Sequence, residues 1–152
     1  MPTRAVLIPL TPEKLPMYPP AQEITITRTI LASPTQVYAA FTTACGWVSW
    51  CCETAEAEAV LGGKLHIYTQ GYNASGQFTR LEQDKAVAFT FNGDAEPPTL
   101  ITVLIEQQGE GCEMTFTVSG DWSEQDQPGF NPFLERTWGR VLDNLKAVLE
   151  RK

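Results

Sequence analysis

Two adjacent cysteines, Cys51 and Cys52, are the most unusual residues of this sequence that could carry chemistry, and Cys45 lies shortly before them. Vicinal thiols can chelate soft metals or form a strained disulfide. A tetrahedral zinc site would need a fourth ligand, but Cys112 is far along the chain, and no C-x-x-C pair or histidine spacing supports zinc. The sequence therefore predicts small, reduced thiols packed beside tryptophans, and no metal.

The single histidine, His66, is the natural candidate for acid–base chemistry at neutral pH. It alternates with Leu65 and Ile67, so we expect it on the outer face of a strand, beside Tyr68. A register shifted by one residue would instead turn His66 and Tyr68 into the core, where either could carry a proton. A histidine without a neighbouring carboxylate or nucleophile is seldom a catalyst.

Other signs of catalysis are weak. The chain has no G-x-S-x-G elbow, phosphate loop, dinucleotide fingerprint or H-E-x-x-H motif. Clustered carboxylates in loops usually form a solvated surface, although some of these could line the mouth of a pocket. The acidic residues concerned are Glu53, Glu56, Glu58, Asp121 and Glu124. We predict no catalytic residue and no cofactor, and the question of an enzyme stays open.

Length and charge restrict the protein further. The chain has 152 residues, 43% of them hydrophobic and 19% charged, which is typical of one globular domain. Eleven basic and 18 acidic residues give a net charge of −7, which disfavours nucleic acid and anionic membrane surfaces as partners. Because the sequence contains no secretory h-region and no apolar run long enough to span a membrane, we expect a cytoplasmic protein with reduced cysteines.

Proline distribution divides the chain in two. Residues 1–22 are predicted to form an extended arm, because proline fixes φ and removes backbone donors; its prolines are Pro2, Pro9, Pro12, Pro16, Pro19 and Pro20. Residues 23–152 are predicted to form the folded domain. The arm could cover the domain or reach a second subunit, so a homodimer is left open.

The positioning elements follow from periodicity. Ser33 and Pro34 predict a helix start, a second short helix covers 46–52, and Trp138, Leu142, Leu145 and Leu149 mark a long amphipathic helix. Turn residues at 73–76, 83–84, 93–98 and 107–111 separate the predicted strands, and 121–132 is predicted to be a loop. The strands are Ile24–Ile30, Lys64–Thr69, Gln77–Leu81, Ala86–Phe91, Leu100–Glu106 and Cys112–Val118.

Short links between successive strands favour an antiparallel meander. The C-terminal helix is the long amphipathic element that could cover its dry face. The predicted fold is therefore α+β: a curved antiparallel sheet of six to seven strands wrapped around a long C-terminal helix, with two short helices after the first strand. A sheet curled around a helix leaves a gap between its concave face and the helix. Side chains either fill this gap or leave it as a cavity.

A set of motifs in this order resembles a known family. The helix start Ser33-Pro34-Thr35-Gln36-Val37-Tyr38, the pair Gly62-Gly63, the strand Gly76-Gln77-Phe78, and Trp138 with Leu142, Leu145 and Lys146 are similar to the homologues of the activator of the Hsp90 ATPase. These belong to the START-like or Bet v 1-like (SRPBCC) helix-grip superfamily. The resemblance runs from about Ile24 to Lys152. Tyr38 stands where the family often has tryptophan, and Cys51-Cys52 replaces aromatic or polar residues.

The resemblance implies a helix-grip fold and, through relatives that carry lipids and hormones, an apolar pocket facing the C-terminal helix. The namesake co-chaperone has a further N-terminal domain for which we expect no room here, so direct chaperone activation is doubtful. The predicted ligand-binding residues combine one parity of each strand with aromatic residues from the helices. They are Phe41, Trp47, Trp50, Leu65, Ile67, Phe78, Phe89, Phe91, Val103, Met114, Phe116, Trp138 and Leu142.

Three functions are compatible with these residues. The one we favour is the binding of a small hydrophobic or aromatic molecule in an internal cavity. The second is a cyclase- or hydrolase-type enzyme that uses the same pocket, with Tyr68, His66 or an acid as proton carrier. The third is a protein-interaction role, which predicts a filled core and an exposed apolar patch.

Overall fold

The computed structural model describes residues 22–93, 98–123, 125 and 127–151. The proline-rich arm predicted for residues 1–22 lies outside this part of the chain, apart from Gln22, and so does most of the turn predicted at 93–98. Within the described residues, ten elements follow one another. They are β1 (Gln22–Ile30), α1 (Pro34–Thr42), α2 (Ala44–Trp50), β2 (Thr54–Ala57), β3 (Lys64–Thr69), β4 (Tyr72–Glu82), β5 (Ala86–Gly93), β6 (Thr99–Gln108), β7 (Gly111–Gly120) and α3 (Phe130–Glu150).

The seven strands form one antiparallel sheet in the order β1-β7-β6-β5-β4-β3-β2. Consecutive strands from β2 to β7 are neighbours, and β1 joins the far edge by pairing with β7, from Gln22 opposite Gly120 to Ile30 opposite Cys112. The predicted curved sheet, long C-terminal helix and two short helices are confirmed. The short edge strand β2, which pairs with β3, was not predicted from the sequence.

The turn predicted at 73–76 is wrong, because these residues belong to β4. The chain instead turns at Gln70 and Gly71, whose φ angles are 42° and 84°. Gly76 looked like a turn residue but has a different role. A Cβ atom there would lie 1.8 Å from the carbonyl oxygen of Thr90, so glycine allows β4 and β5 to approach closely.

The loop predicted at 121–132 is also wrong at its end, because α3 already begins at Phe130. Pro132 suggested a loop, but the first turn of a helix has backbone N–H groups without intrahelical acceptors, so proline is tolerated there. Trp122 and Asn131 anchor this start: the indole Nε1 donates to Asn131 Oδ1 at 2.7 Å, and Asn131 Nδ2 donates to Gln22 Oε1 at 2.8 Å.

Polar contacts to β1 hold α3 across the sheet. Arg28 Nε lies 2.7 Å from Asp143 Oδ1, and its Nη2 donates to the Gly139 carbonyl oxygen at 3.3 Å. Lys146 Nζ donates to the Thr29 carbonyl oxygen at 2.7 Å. Shortly after β1, a capping box starts α1: Gln36 N donates to Ser33 Oγ, and Ser33 N donates to Gln36 Oε1. These contacts fix the helices that line the interior.

No helix in the described part of the chain is long and apolar enough to cross a membrane.

Candidate ligand pocket

The structure places every residue predicted to bind ligand in the hydrophobic core. The most exposed of them is Trp138, at 8%, and Phe41, Trp47 and Phe116 are completely buried. Strand parity therefore located the inner face of the sheet correctly. Burial alone does not distinguish a residue that fills the core from one that borders a cavity. Some of the predicted residues do the first and some do the second.

Aromatic side chains from α1 and α2 fill one part of the interior. The rings of Trp47 and Trp50 stack with centroids 5.0 Å apart, and Phe41 packs edge-on against Trp50 at 5.2 Å. Trp47 also meets Phe89 of β5 at 5.6 Å. Both indole N–H groups are satisfied: Trp47 Nε1 donates to the carbonyl oxygen of Phe41 at 2.9 Å, and Trp50 Nε1 to that of Ala40 at 3.0 Å. We call this cluster of Phe41, Trp47, Trp50 and Phe89 the closed end.

A pocket of about 300 Å³ remains between the first half of α3 and strands β3 to β5. We call it the open end. Its lining residues are Cys51, Ile67, Thr69, Tyr72, Phe91, Phe133, Leu134, Thr137, Trp138 and Val141. Phe133 is 38% exposed, so the rim of the pocket reaches the surface. Of the predicted set, only Ile67, Phe91 and Trp138 line this pocket; the structure places the others elsewhere in the core.

Several lining residues were missed by the sequence reasoning. Leu134, Thr137 and Val141 share the face of α3 that carries Trp138, and they were missed because the apolar face of the predicted helix was defined from Trp138 onward by its leucines. Tyr72 was overlooked because the segment that follows it was assigned to a turn. Cys51 had no signal that pointed to the pocket, since it is the position of α2 against α3 that brings it there: Asn144 Nδ2 donates to the Trp50 carbonyl oxygen at 2.7 Å.

The wall of the pocket is apolar with a few polar groups. Among the described lining residues there is no carboxylate, amine or imidazole; the polar groups are the hydroxyls of Thr69, Thr137 and Tyr72 and the thiol of Cys51. Such a surface gains free energy by covering apolar area, while a few hydroxyls orient the bound molecule. It offers no acid–base pair for catalysis.

The two adjacent cysteines interact. A hydrogen bond with the thiol of Cys52, together with burial, raises the pKa of Cys51. The same hydrogen bond and a second one from the backbone N–H of Tyr68 lower the pKa of Cys52, although burial opposes them. All four cysteines are free, and the described residues contain no group of three or more His, Cys, Asp or Glu that could hold a metal ion.

The residues considered for proton transfer lie away from the pocket. His66 is half-buried with its Nε2 3.2 Å from Asn73 Oδ1, and Tyr68 is 37% exposed on the outer side of β3. Lys64 contacts two of the acids, with Nζ 3.1 Å from Glu56 Oε1 and its backbone N–H donating to Glu58 Oε1. The register expected for His66, facing away from the helix, is the one observed.

A second and larger cavity, of about 820 Å³, lies outside the sheet near the start of α1. Its lining residues are mostly polar or charged, including Arg80, Glu82, Asp84, Lys85 and Glu113. Thr35 Oγ1 donates to Asp84 Oδ2 across it at 2.8 Å. Because charged side chains of both signs line it, this surface fits an ordinary solvated groove better than a ligand site.

A curved antiparallel sheet around a C-terminal helix, with a pocket between them, defines a helix-grip domain. The chain belongs to the family described as activator of Hsp90 ATPase homolog 1-like protein, which matches residues 31–150. Among curated proteins, no sequence matches this chain.

Solved structures agree with this assignment. The Aha1 dimer from Colwellia psychrerythraea is 25% identical, with a TM-score of 0.75 over 85% of this chain and 96% of that one. Protein MLL2253 from Mesorhizobium loti is 18% identical, with a TM-score of 0.77 over 86% and 98%. PFC0360w, described as an HSP90 activator from Plasmodium falciparum, is 17% identical, with a TM-score of 0.70 over 84% and 95%. At such identities the last two show the fold alone.

Proposed function

We propose that this protein binds a small apolar or aromatic molecule at the open end, between α3 and strands β3 to β5. The observation that supports the proposal is the 300 Å³ pocket with its apolar wall and few hydroxyls. Ligand pockets commonly measure roughly 300–1,000 Å³, so this one is at the small limit. It favours molecules of one or two rings over sterols or long fatty acids.

The rim residue Phe133 supports the same reading. A large apolar side chain that is 38% exposed beside a cavity gains from being covered, at about 25 cal/mol for each Å² of apolar surface removed from water. A bound ring between Phe133 and Trp138 would cover part of it. The hydroxyls of Thr69 and Thr137 would then orient a polar substituent.

A protein-interaction role is the second candidate. Its specific support is the loop between β2 and β3, where Val60 and Leu61 are 62% and 70% exposed, together with the description of one structural relative as an HSP90 activator. A homodimer is proposed on similar grounds, because the Colwellia psychrerythraea relative is described as a dimer. Sedimentation of the purified chain with and without residues 1–20 tests the dimer. The cytoplasmic location predicted from the cysteines stays a prediction, for which fractionation of cells is the test.

A thermal-shift screen tests the ligand proposal. The purified protein is heated with one- and two-ring aromatics, flavonoids, fatty acids and sterols. A ligand at about a hundred times its dissociation constant adds roughly 2.7 kcal/mol to the folded state. For a domain of this size, we expect the melting temperature to rise by about 5–10 °C.

Two matched variants locate the binding. Val141→Trp places an indole in the pocket wall and should abolish the shift, whereas Val48→Trp places the same group on the exposed side of α2, outside the pocket lining, and should keep it. Circular dichroism confirms that both variants fold. No shift in the wild-type protein with any class, or an equal shift in both variants, would count against the pocket.

A further inference from the structure

The two vicinal thiols meet the pocket at one place. Cys51 follows the last residue of α2 and lines the open end, and Cys52 is next to it, half-buried before β2. The two residues are adjacent in the chain, so both thiols belong to the short segment that joins α2 to β2, and the interaction between the thiols lowers the pKa of Cys52. A bound molecule that touches Cys51 is therefore within reach of two sulfurs, one of which is prepared to lose its proton.

Geometry favours a bridging atom over a direct disulfide. Neighbouring Cα atoms are about 3.8 Å apart across a trans peptide, less than the roughly 4.4–6.8 Å usual in disulfides. A bridging atom between the sulfurs lengthens the link and relieves this strain. The described residues contain no group of three or more His, Cys, Asp or Glu that could hold a metal ion, so a bridging atom that makes only two bonds to protein fits this pair. Its remaining valence can carry an apolar substituent into the pocket.

We propose that Cys51 and Cys52 form a dithiol site that captures a small apolar molecule with a soft electrophilic centre, of the class of monosubstituted trivalent arsenicals, and holds its substituent in the pocket. The placement of the substituent rests on the proposed ligand-binding function; the capture by two sulfurs does not. With an aryl arsenic(III) oxide, two As–S bonds form and the arsenic–oxygen bond breaks. The oxygen leaves as water with the two thiol protons, and arsenic stays trivalent.

Phenylarsine oxide is the probe that tests the capture. Under non-thiol reducing conditions, the wild-type protein should gain the mass of one probe less one water. An excess of 2,3-dimercaptopropanol should reverse the adduct, while an equal excess of a monothiol should not. Cys51→Ser and Cys52→Ser should each weaken retention at least about tenfold, because a single As–S bond exchanges readily. Cys45→Ser, which removes an exposed thiol on α2, should behave as wild type.

Inorganic arsenite separates this inference from the proposed function. It has no apolar substituent, so it should bind the same two thiols at least about tenfold more weakly, and Val141→Trp should weaken phenylarsine oxide without affecting arsenite. Retention of phenylarsine oxide in both cysteine variants would overturn the dithiol site. If the two cysteine variants lose phenylarsine oxide but Val141→Trp binds it as the wild-type protein does, the dithiol site is upheld and the placement of the substituent in the pocket is overturned.

Discussion

The closed end and the open end are both rich in aromatic residues, yet one is filled and the other holds a cavity. At the closed end, two short helices insert Phe41, Trp47 and Trp50 between the sheet and the second half of α3, and their rings lie 5.0–5.6 Å from one another. At the open end, none of the described short helices intervenes, and α3 faces the strands with Thr137, Val141 and the exposed Phe133. In this domain, the packing of the short helices against α3, more than aromatic content, therefore separates the filled end from the end with a pocket.

The largest expected effect is on stability: a substitution at the closed end should lower the free energy of unfolding far more than one at the open end. Trp47 is fully buried with its indole N–H bonded, so Trp47→Ala should lower the free energy of unfolding by about 3–5 kcal/mol. Phe133→Ala removes a rim side chain that is already 38% exposed and should cost less than about 1 kcal/mol. Urea denaturation measures both, and Trp47→Phe gives an intermediate control if Trp47→Ala does not fold. Equal losses would contradict the distinction between the two ends.

A smaller effect tests whether α1 serves only the closed end. Removing the capping box with Ser33→Ala should lower the free energy of unfolding by about 1 kcal/mol, because Gln36 N loses its acceptor. The rise in melting temperature caused by a pocket ligand should stay the same. Ser49→Ala, an exposed serine within α2, is the control and should be nearly neutral in denaturation experiments. A changed ligand response in Ser33→Ala would show that the two ends are coupled.

The smallest expected effect concerns the last turn of α3, beyond the closed end. Glu150 Oε2 accepts hydrogen bonds from Lys146 Nζ at 2.7 Å and Leu31 N at 2.8 Å, which lower the pKa of its carboxyl group. A lowered pKa in the folded state stabilises the protein above the ordinary carboxyl pKa, and this contribution is lost as the pH falls through the lowered value.

Melting temperatures measured from pH 7 to pH 3 check this sign. Glu150→Gln should melt below the wild-type protein at pH 7, and the difference should shrink once the pH falls below about 4. Glu135→Gln, exposed on the same helix, is the control. A difference that persists at pH 3 would mean that Glu150 acts through packing and not through its charge.

Periodicity in the sequence was enough to predict six of the seven strands, the inner parity of Phe89 and Phe116, and the outward direction of His66. A period of two assigns the faces of a strand without knowledge of its neighbours. It failed where composition imitated a turn, at Gly76, whose glycine serves close strand packing. It failed again at Pro132, which the first turn of α3 accommodates.

The sequence by itself determined the fold class, the family resemblance and which side chains face inward, since these depend on local pattern. Only the tertiary structure decided which inward residues border a space. The volume between α3 and the sheet depends on α2 packing against one half of the helix and leaving the other half uncovered, and this packing is also what brings Cys51 to the pocket. A cavity is what packing leaves unfilled between distant elements, so no single segment encodes it.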